Sequence, residues 1–274
     1  MARLIHLNSP DSAIMSCYAS LRYRAKSVAA DTTFIVEGRL CVHRLLRSSL
    51  EVQSILVQQG LESELLHLIE DTVPVYVLPK KEISQLVGYD FHRGFLASAI
   101  RPNLLRVDEL QWSKSVCAVA IAALGVTESE NLGSIFRTAA ALGVADILLD
   151  HQSADPYARR TVRVSMANVF KQQIYLLDDA LVELRRLALE KNVRIVVTTL
   201  SEQSIPITSW QPDDRPVILI LGSEASGVDP RLEAIATDCV KIPMELGTDS
   251  LNVSVAAGIC LHAILHASGR GNSA

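Results

Sequence analysis

The stretch Lys241–Gly258 reads KIPMELGTDSLNVSVAAG. It starts apolar and strand-like, then runs through a polar loop carrying Thr248, Asp249, Ser250 and Asn252. It ends in Ser254, Ala256, Ala257 and Gly258, which read as the start of a helix. A helix that needs only a core contact carries Leu and Ile in its first turns. Small residues let another backbone or a flat ligand come very close.

Upstream of this stretch the second half of the chain alternates strand and helix. SVCAVAIAAL, ADILLD, VRIVVTTL, PVILILG and CVKIPM read as strands, and NLGSIFRTAAALG and DALVELRRLALEKN as helices, the first ending at Gly143. Continuous apolar strands such as VILIL imply a parallel sheet covered on both faces. Ligands of such sheets collect at the carboxyl ends of the strands. Those ends read GVTESEN, TTLSEQS, GSEASGV and MELGTDSLN, and together they make one polar candidate rim.

The first half also alternates. Residues 1–30 read as a helical lead-in with exposed arginines. Thr33 to Val36 is a strand broken by Gly38, followed by helical spacing at Val42, Leu45 and Leu46. VQSILVQQG, VPVYVLP and GFLASAI are further strands, and ESELLHLIED and KEISQLVG are helices. The reading is an α/β fold in two domains, 1–106 and 107–274, joined near the polar segment RPNLLRVDELQWSKS.

A length of 274 residues suits two domains, and 49% hydrophobic content with 20% charge suits packed ones. No run of 18 apolar residues exists, so no membrane span is expected. The first twenty residues lack a basic segment followed by a long apolar one, so a secretory signal is not expected. Five scattered cysteines with no C-x-x-C fit reduced thiols in a cytosolic protein.

The net charge of −4 is unevenly spread. Residues 1–106 hold 12 basic and 10 acidic side chains, and residues 107–274 hold 14 and 20. RRTVRVSMANVFK, Arg159 to Lys171, carries four basic residues and no acid. Local patches set a nucleic-acid footprint, but charge alone is equally a solvated surface.

Several sites are excluded. There is no G-x-G-x-x-G after a strand, no P-loop, no G-x-S-x-G elbow and no H-E-x-x-H. His262 and His266 lie four apart on one helix without further ligands nearby, so no metal is expected.

Three motifs remain: ENLGSIFRTAAALG with Asn131, Gly133 and Arg137; LGSEASGV with Gly222, Glu224 and Gly227; and the opening stretch. In this order and strand context the chain resembles the SpoU (TrmH-like) RNA 2′-O-ribose methyltransferases of the SPOUT class. TFIVEGRLCVHRLL and HRGFLASA resemble that family's L30e-like RNA-binding domain. The resemblance implies a C-terminal trefoil knot holding S-adenosyl-L-methionine through main-chain groups at Gly222, Ile242 and Leu251, with Leu200 and Met244 nearby. It implies catalytic positions at Arg137, Asn131, Glu224, Ser250 and Asn252, and a homodimer formed through the knotted domain.

Two alternatives stand beside methyl transfer to tRNA or rRNA. One is a non-catalytic RNA-binding or ribosome-assembly factor that keeps the fold, and the other is an rRNA methyltransferase conferring antibiotic resistance. Each site residue also has a structural reading. Asn131 and Ser250 could cap helices, Glu224 could hold a loop, and Arg137 could be a surface arginine. The chain departs from the family pattern at Glu128, Ser129 and Glu130, where many members carry Asp-Pro-Gly, and at Ala225, where glycine is common.

Overall fold

In the computed structural model, residues 3–10, 15–21, 32–112, 118–223, 227–248 and 250–267 are described. The chain divides into two compact units. The first is Met1–Asn103 with Asp155–Phe170, and the second is Leu104–Ala154 with Lys171–Ala274.

The first unit is built on strands β1 (Arg3–His6), β2 (Thr33–Glu37), β3 (Val52–Gln58), β4 (Pro74–Leu78) and β5 (Phe95–Ile100), with helices α1 (Arg39–Leu46) and α2 (Lys80–Val87). Its sheet is mixed, in the order β1-β4-β3-β5-β2. β1 and β3 flank β4 in parallel, and β5 runs antiparallel to both β3 and β2. Gly38, at φ +96°, turns the chain from β2 into α1, a conformation that a side chain would strain. Met15, Tyr18, Leu56, Ile83 and Phe91 fill the core beneath the sheet.

The expected helical lead-in is corrected here, because Arg3–His6 forms an edge strand. Four mostly exposed residues carry too little pattern to declare a strand; pairing with β4 supplies it. Further along that lead-in Ser16–Tyr18 is a 3-10 turn, and residues 11–14 and 22–30 lie outside the described residues. ESELLHLIED is two separate 3-10 turns, Glu62–Glu64 and Leu66–Leu68. Their spacing still buries Leu65 and Ile69, which is what the apolar pattern required.

The second unit holds β6 (Leu105–Arg106), β7 (Val119–Ala123), β8 (Asp146–Asp150), β9 (Gln173–Leu177), β10 (Arg194–Thr198), β11 (Ile205–Pro206), β12 (Val217–Leu221) and β13 (Asp238–Lys241). They form an eight-stranded sheet in the order β11-β13-β10-β12-β7-β8-β9-β6, parallel throughout. β7 and β12 are buried along their whole length, as expected of central strands with both faces covered. Its helices are α3 (Ser129–Ala141), α5 (Ala180–Glu190), α6 (Pro230–Glu233) and α7 (Val253–Ala267). α7 packs on α3 and touches β12. Part of the segment read as a polar linker belongs to this unit, since Leu105–Arg106 pair with β9 and Val107 and Leu110 are buried in its core.

The sequence reading puts all of 107–274 in one domain, whereas Asp155–Phe170 packs with the first unit. Here α4 (Arg159–Val164) lies against β2. Phe34 meets Tyr157 and Phe170 with ring centroids 5.2 and 5.9 Å apart. Arg101 donates to both carboxylate oxygens of Asp155 at 2.7 and 2.8 Å. Arg159 donates to the buried Glu37 carboxylate at 2.6 Å.

Glu37 is 2% exposed at its side chain. Arg159 is the nearest of three guanidinium groups around this carboxylate, so removing it weakens the compensation of a buried charge without abolishing it. Arg159→Ala is therefore expected to cost the first unit less than the roughly 3 kcal/mol of a fully stranded charge. Hydrogen exchange would show reduced protection in β2 and β5, with β7 and β12 unchanged. Equal protection in both forms would contradict it.

Candidate active site

The carboxyl ends of β10, β12 and β13 and the first turns of α7 enclose a cavity of about 440 Å³. Leu200, Gly222, Ile242, Met244 and Leu251 all line it, as does Ser250. Thr198 anchors one wall by donating its hydroxyl to the Ile220 carbonyl at 3.0 Å.

The wall at β12 depends on a close backbone crossing. A Cβ on Gly222 would lie 2.3 Å from the Gly227 carbonyl carbon and 2.5 Å from the Val228 nitrogen. Ser223 and Gly227 exchange backbone hydrogen bonds of 2.9 and 3.1 Å, closing the loop between them. That loop contains Glu224 and Ala225, which lie outside the described residues.

The α7 side is organised by Asn252. Its Oδ1 accepts from the Ser254 backbone nitrogen at 2.9 Å and from the Ser254 hydroxyl at 2.6 Å, so Asn252 caps the helix. Its Nδ2 donates to Asn131 Oδ1 at 2.8 Å. Both capping expectations are corrected by this geometry. Ser250 lines the cavity and Asn252 is the cap of α7. Asn131 is the third residue of α3, whose N-cap position is taken by Glu128 in an extended conformation.

The small residues of the opening stretch now have distinct jobs. Ala256 lines the cavity and Ala257 is buried. A Cβ on Gly258 would stand 3.5 Å from the Thr138 methyl of α3, in ordinary contact. Arg137, next to Thr138, is exposed and has no hydrogen-bond or ionic partner among the described residues.

A family model described as "SpoU rRNA Methylase family" matches residues 118–262, more than half of the chain. The chain belongs to the SpoU family. A second model, described as "RNA 2′-O ribose methyltransferase substrate binding", matches residues 35–105. A protein of Mycobacterium bovis named as an uncharacterized tRNA/rRNA methyltransferase is 32% identical over 236 residues, 83% of this chain and 79% of that one. The 23S rRNA (guanosine-2′-O-)-methyltransferase RlmB of Acinetobacter baylyi is 29% identical over 194 residues, 69% and 77% of the two chains. In fold, the chain is similar to an AdoMet-bound rRNA methyltransferase from Sinorhizobium meliloti, with TM-score 0.80 and 22% identity over 96% and 98% of the two chains.

Within this SpoU chain the cavity also recruits side chains that sequence reasoning missed. Glu233 enters from α6 and Cys260 from the third turn of α7. Neither sits in a strand-end motif, so nothing local flagged them. Burial pushes the Cys260 thiol up to about 12, which keeps it protonated near neutral pH. Asp150 was missed as well. Its carboxylate accepts from the Gly125 nitrogen at 3.0 and 3.1 Å and from the Ser153 nitrogen at 2.9 Å, tying together the ends of β7 and β8.

A second cavity of about 560 Å³ shares Gly222, Ser223, Gly227 and Val228 with the first and is also lined by Asp150, His151, Asp178, Asp229 and Arg231, the last paired with Asp229 at 2.6 Å. No group of three or more His, Cys, Asp or Glu able to hold a metal occurs among the described residues. The rings of His262 and His266 stand 6.1 Å apart on α7.

Asn252→Ala should cost about 1 kcal/mol through loss of the cap. Asn252→Asp keeps an acceptor for Ser254 and should recover most of that, while giving up the donor to Asn131. Urea midpoints of the two variants check this, and equal destabilisation by both would overturn the capping role.

Proposed function

We propose that the chain transfers a methyl group from S-adenosyl-L-methionine to a ribose 2′-hydroxyl of tRNA or rRNA. The observation that carries this is the cavity at the strand ends, lined by all five residues expected at the cofactor, in a chain matched by both SpoU family models. Its volume suits a ligand of this size. Its apolar lining at Leu200, Met244 and Leu251 suits an adenine face, and the Gly222 crossing brings main-chain groups to the ligand's edge.

S-adenosylmethionine supplies an electrophilic methyl group on a sulfonium. The chain's own residues must then hold the acceptor in line, an alignment that contributes roughly 7–11 kcal/mol in well-oriented systems. Arg137 is the residue we assign to the acceptor. A guanidinium keeps its proton near neutral pH, so it acts as a cation rather than as a general base. It stabilises negative charge developing on the 2′-oxygen, or grips the neighbouring phosphate. Support comes from its exposure, its freedom from partners among the described residues, and its place on α3 beside α7. Asn131 and Asn252 hold the facing ends of those two helices together. Ser250 and Glu224 complete the assigned set.

The finer architecture belongs to the same proposal. β13 lies beyond β10 from β12, and α7 returns to α3. That path supports a trefoil knot, an exception to ordinary unknotted connectivity. The mixed sheet of the first unit supports an L30e-like RNA-binding domain. On α7, Val255 and Ile259 are 50% and 39% exposed and one turn apart, which supports a homodimer through that face. The cysteines Cys17, Cys41, Cys239 and Cys260, none of them in a disulfide, support a reducing, cytosolic setting. No helix of the described residues is long and apolar enough to cross a membrane.

Two variants test the assignment. Gly222→Ala should abolish S-adenosylmethionine binding in calorimetry, because the crossing cannot admit a Cβ. Arg137→Ala should leave cofactor affinity nearly intact and slow transfer of labelled methyl at least about 100-fold. The acceptor is RNA from a strain deleted for the gene, with label recovered in alkali-resistant dinucleotides. Loss of cofactor binding in Arg137→Ala would refute the role given to it.

A further inference from the structure

Glu37 gathers more positive charge than it can neutralise. Arg159 Nη1 lies 2.6 Å from its carboxylate, Arg93 Nε 3.4 Å and Arg163 Nη1 3.9 Å. Arg159 also donates to the Tyr89 hydroxyl and stacks on that ring at 4.9 Å, so it is committed to the interior. Burial, and then the Glu37 charge, push the Tyr89 hydroxyl up to about 12, so it stays a neutral partner. One carboxylate and one guanidinium would suffice for structure. Arg93 and Arg163 are the surplus, with side chains 41% and 29% exposed.

Arg160, on the same helix, is exposed, and its charge is felt at Arg163. Arg163's guanidinium is held below its ordinary range, first by burial and then by Arg93, Arg160 and Arg159, with Glu37 opposing. The fields of these cations therefore overlap, and a second anion would relieve their repulsion. Tyr89 also lines a shallow groove with Lys80, Lys81, Ser84, Gln85 and Asp90, where Lys81 stands beside a Lys80 paired with Asp90 at 3.3 Å. Tyr89 belongs to both features, so the cations form one spread surface rather than an enclosed cup for a single ion.

We propose that Arg93, Arg160 and Arg163 form a phosphodiester-binding site for structured RNA, held in place by Glu37 and Arg159 as positioning residues. This deepens the RNA methyltransferase reading and rests on it. Two of its three arginines come from α4, outside the 35–105 segment matched as substrate-binding and inside the 118–262 segment matched as methylase. Guanidinium groups suit the role because each can meet a phosphate through two parallel N–H donors. A spread of several cations favours a polyanion over free phosphate.

The test uses the full chain and fluorescence anisotropy with labelled bulk tRNA and bulk rRNA across a potassium chloride series. The triple variant Arg93→Gln, Arg160→Gln, Arg163→Gln should bind at least about tenfold more weakly near physiological salt. Its log Kd against log salt should be shallower by about two to three, roughly one for each phosphate that the variant no longer holds. S-adenosylmethionine affinity should not change. The matching Lys variant keeps the charge and should recover most of the salt slope, which a merely structural role would not produce. Should the triple variant fold poorly, Arg160→Gln alone, away from Glu37, should still shift the slope by about one. Unchanged affinity and slope would overturn the site. A melting temperature raised by inorganic phosphate in wild type, with RNA binding untouched in the variant, would overturn it in favour of a free-anion site. Wild-type protein that binds cofactor but neither RNA would instead refute the RNA reading itself.

Discussion

The second unit depends on two backbones passing closer than any side chain allows. Where β12 ends, Gly222 runs against Gly227 and Val228 with no room for a Cβ. This crossing lets the chain leave a central, fully buried strand and double back at once, with Ser223 and Gly227 sealing the loop. Gly222, Ser223, Gly227 and Val228 line both of the unit's cavities described above. Core packing on β7, β12 and their neighbours holds the wall rigid, because those strands are covered on both faces.

Asn252 links helix formation to site assembly. The amide oxygen satisfies one of the orphan donors of α7, and the amide nitrogen of the same group reaches Asn131 on α3. A helix start always leaves unpaired N–H groups. Here the residue that satisfies one of them also sets the distance to the neighbouring helix, on which Arg137 sits. Local and tertiary order share one side chain, so a change there is felt in both.

The first unit shows a different economy. The excursion Asp155–Phe170 leaves the second half of the sequence and packs on β2 through Phe34, Arg101 and Glu37. It brings three arginines and one aspartate with it. The unit matched as substrate-binding thus becomes more basic than residues 1–106 alone suggest. Net charge over the whole chain, −4, conceals this completely.

Much was legible in the residues themselves. Continuous apolar strands declared a parallel sheet, since only doubly covered strands can be apolar on both faces. The polar strand ends marked the rim, and the motifs around Arg137, Gly222 and Asn252 pointed to the family. Other features were not local. Arg3–His6 is a strand only because β4 is beside it, and ESELLHLIED buries Leu65 and Ile69 through short turns instead of a helix. Asn252 rather than Ser250 caps α7, because Asn252 directly precedes the helix start at Val253 and its Oδ1 reaches the Ser254 nitrogen. Glu233 and Cys260 enter the cavity from elements with no motif, and α4 joins a unit whose other elements lie far upstream in the chain. The sequence by itself determined periodicity, and periodicity reports which faces are buried. Only the tertiary structure decided which distant segments share a face, because that depends on packing between residues far apart in the chain.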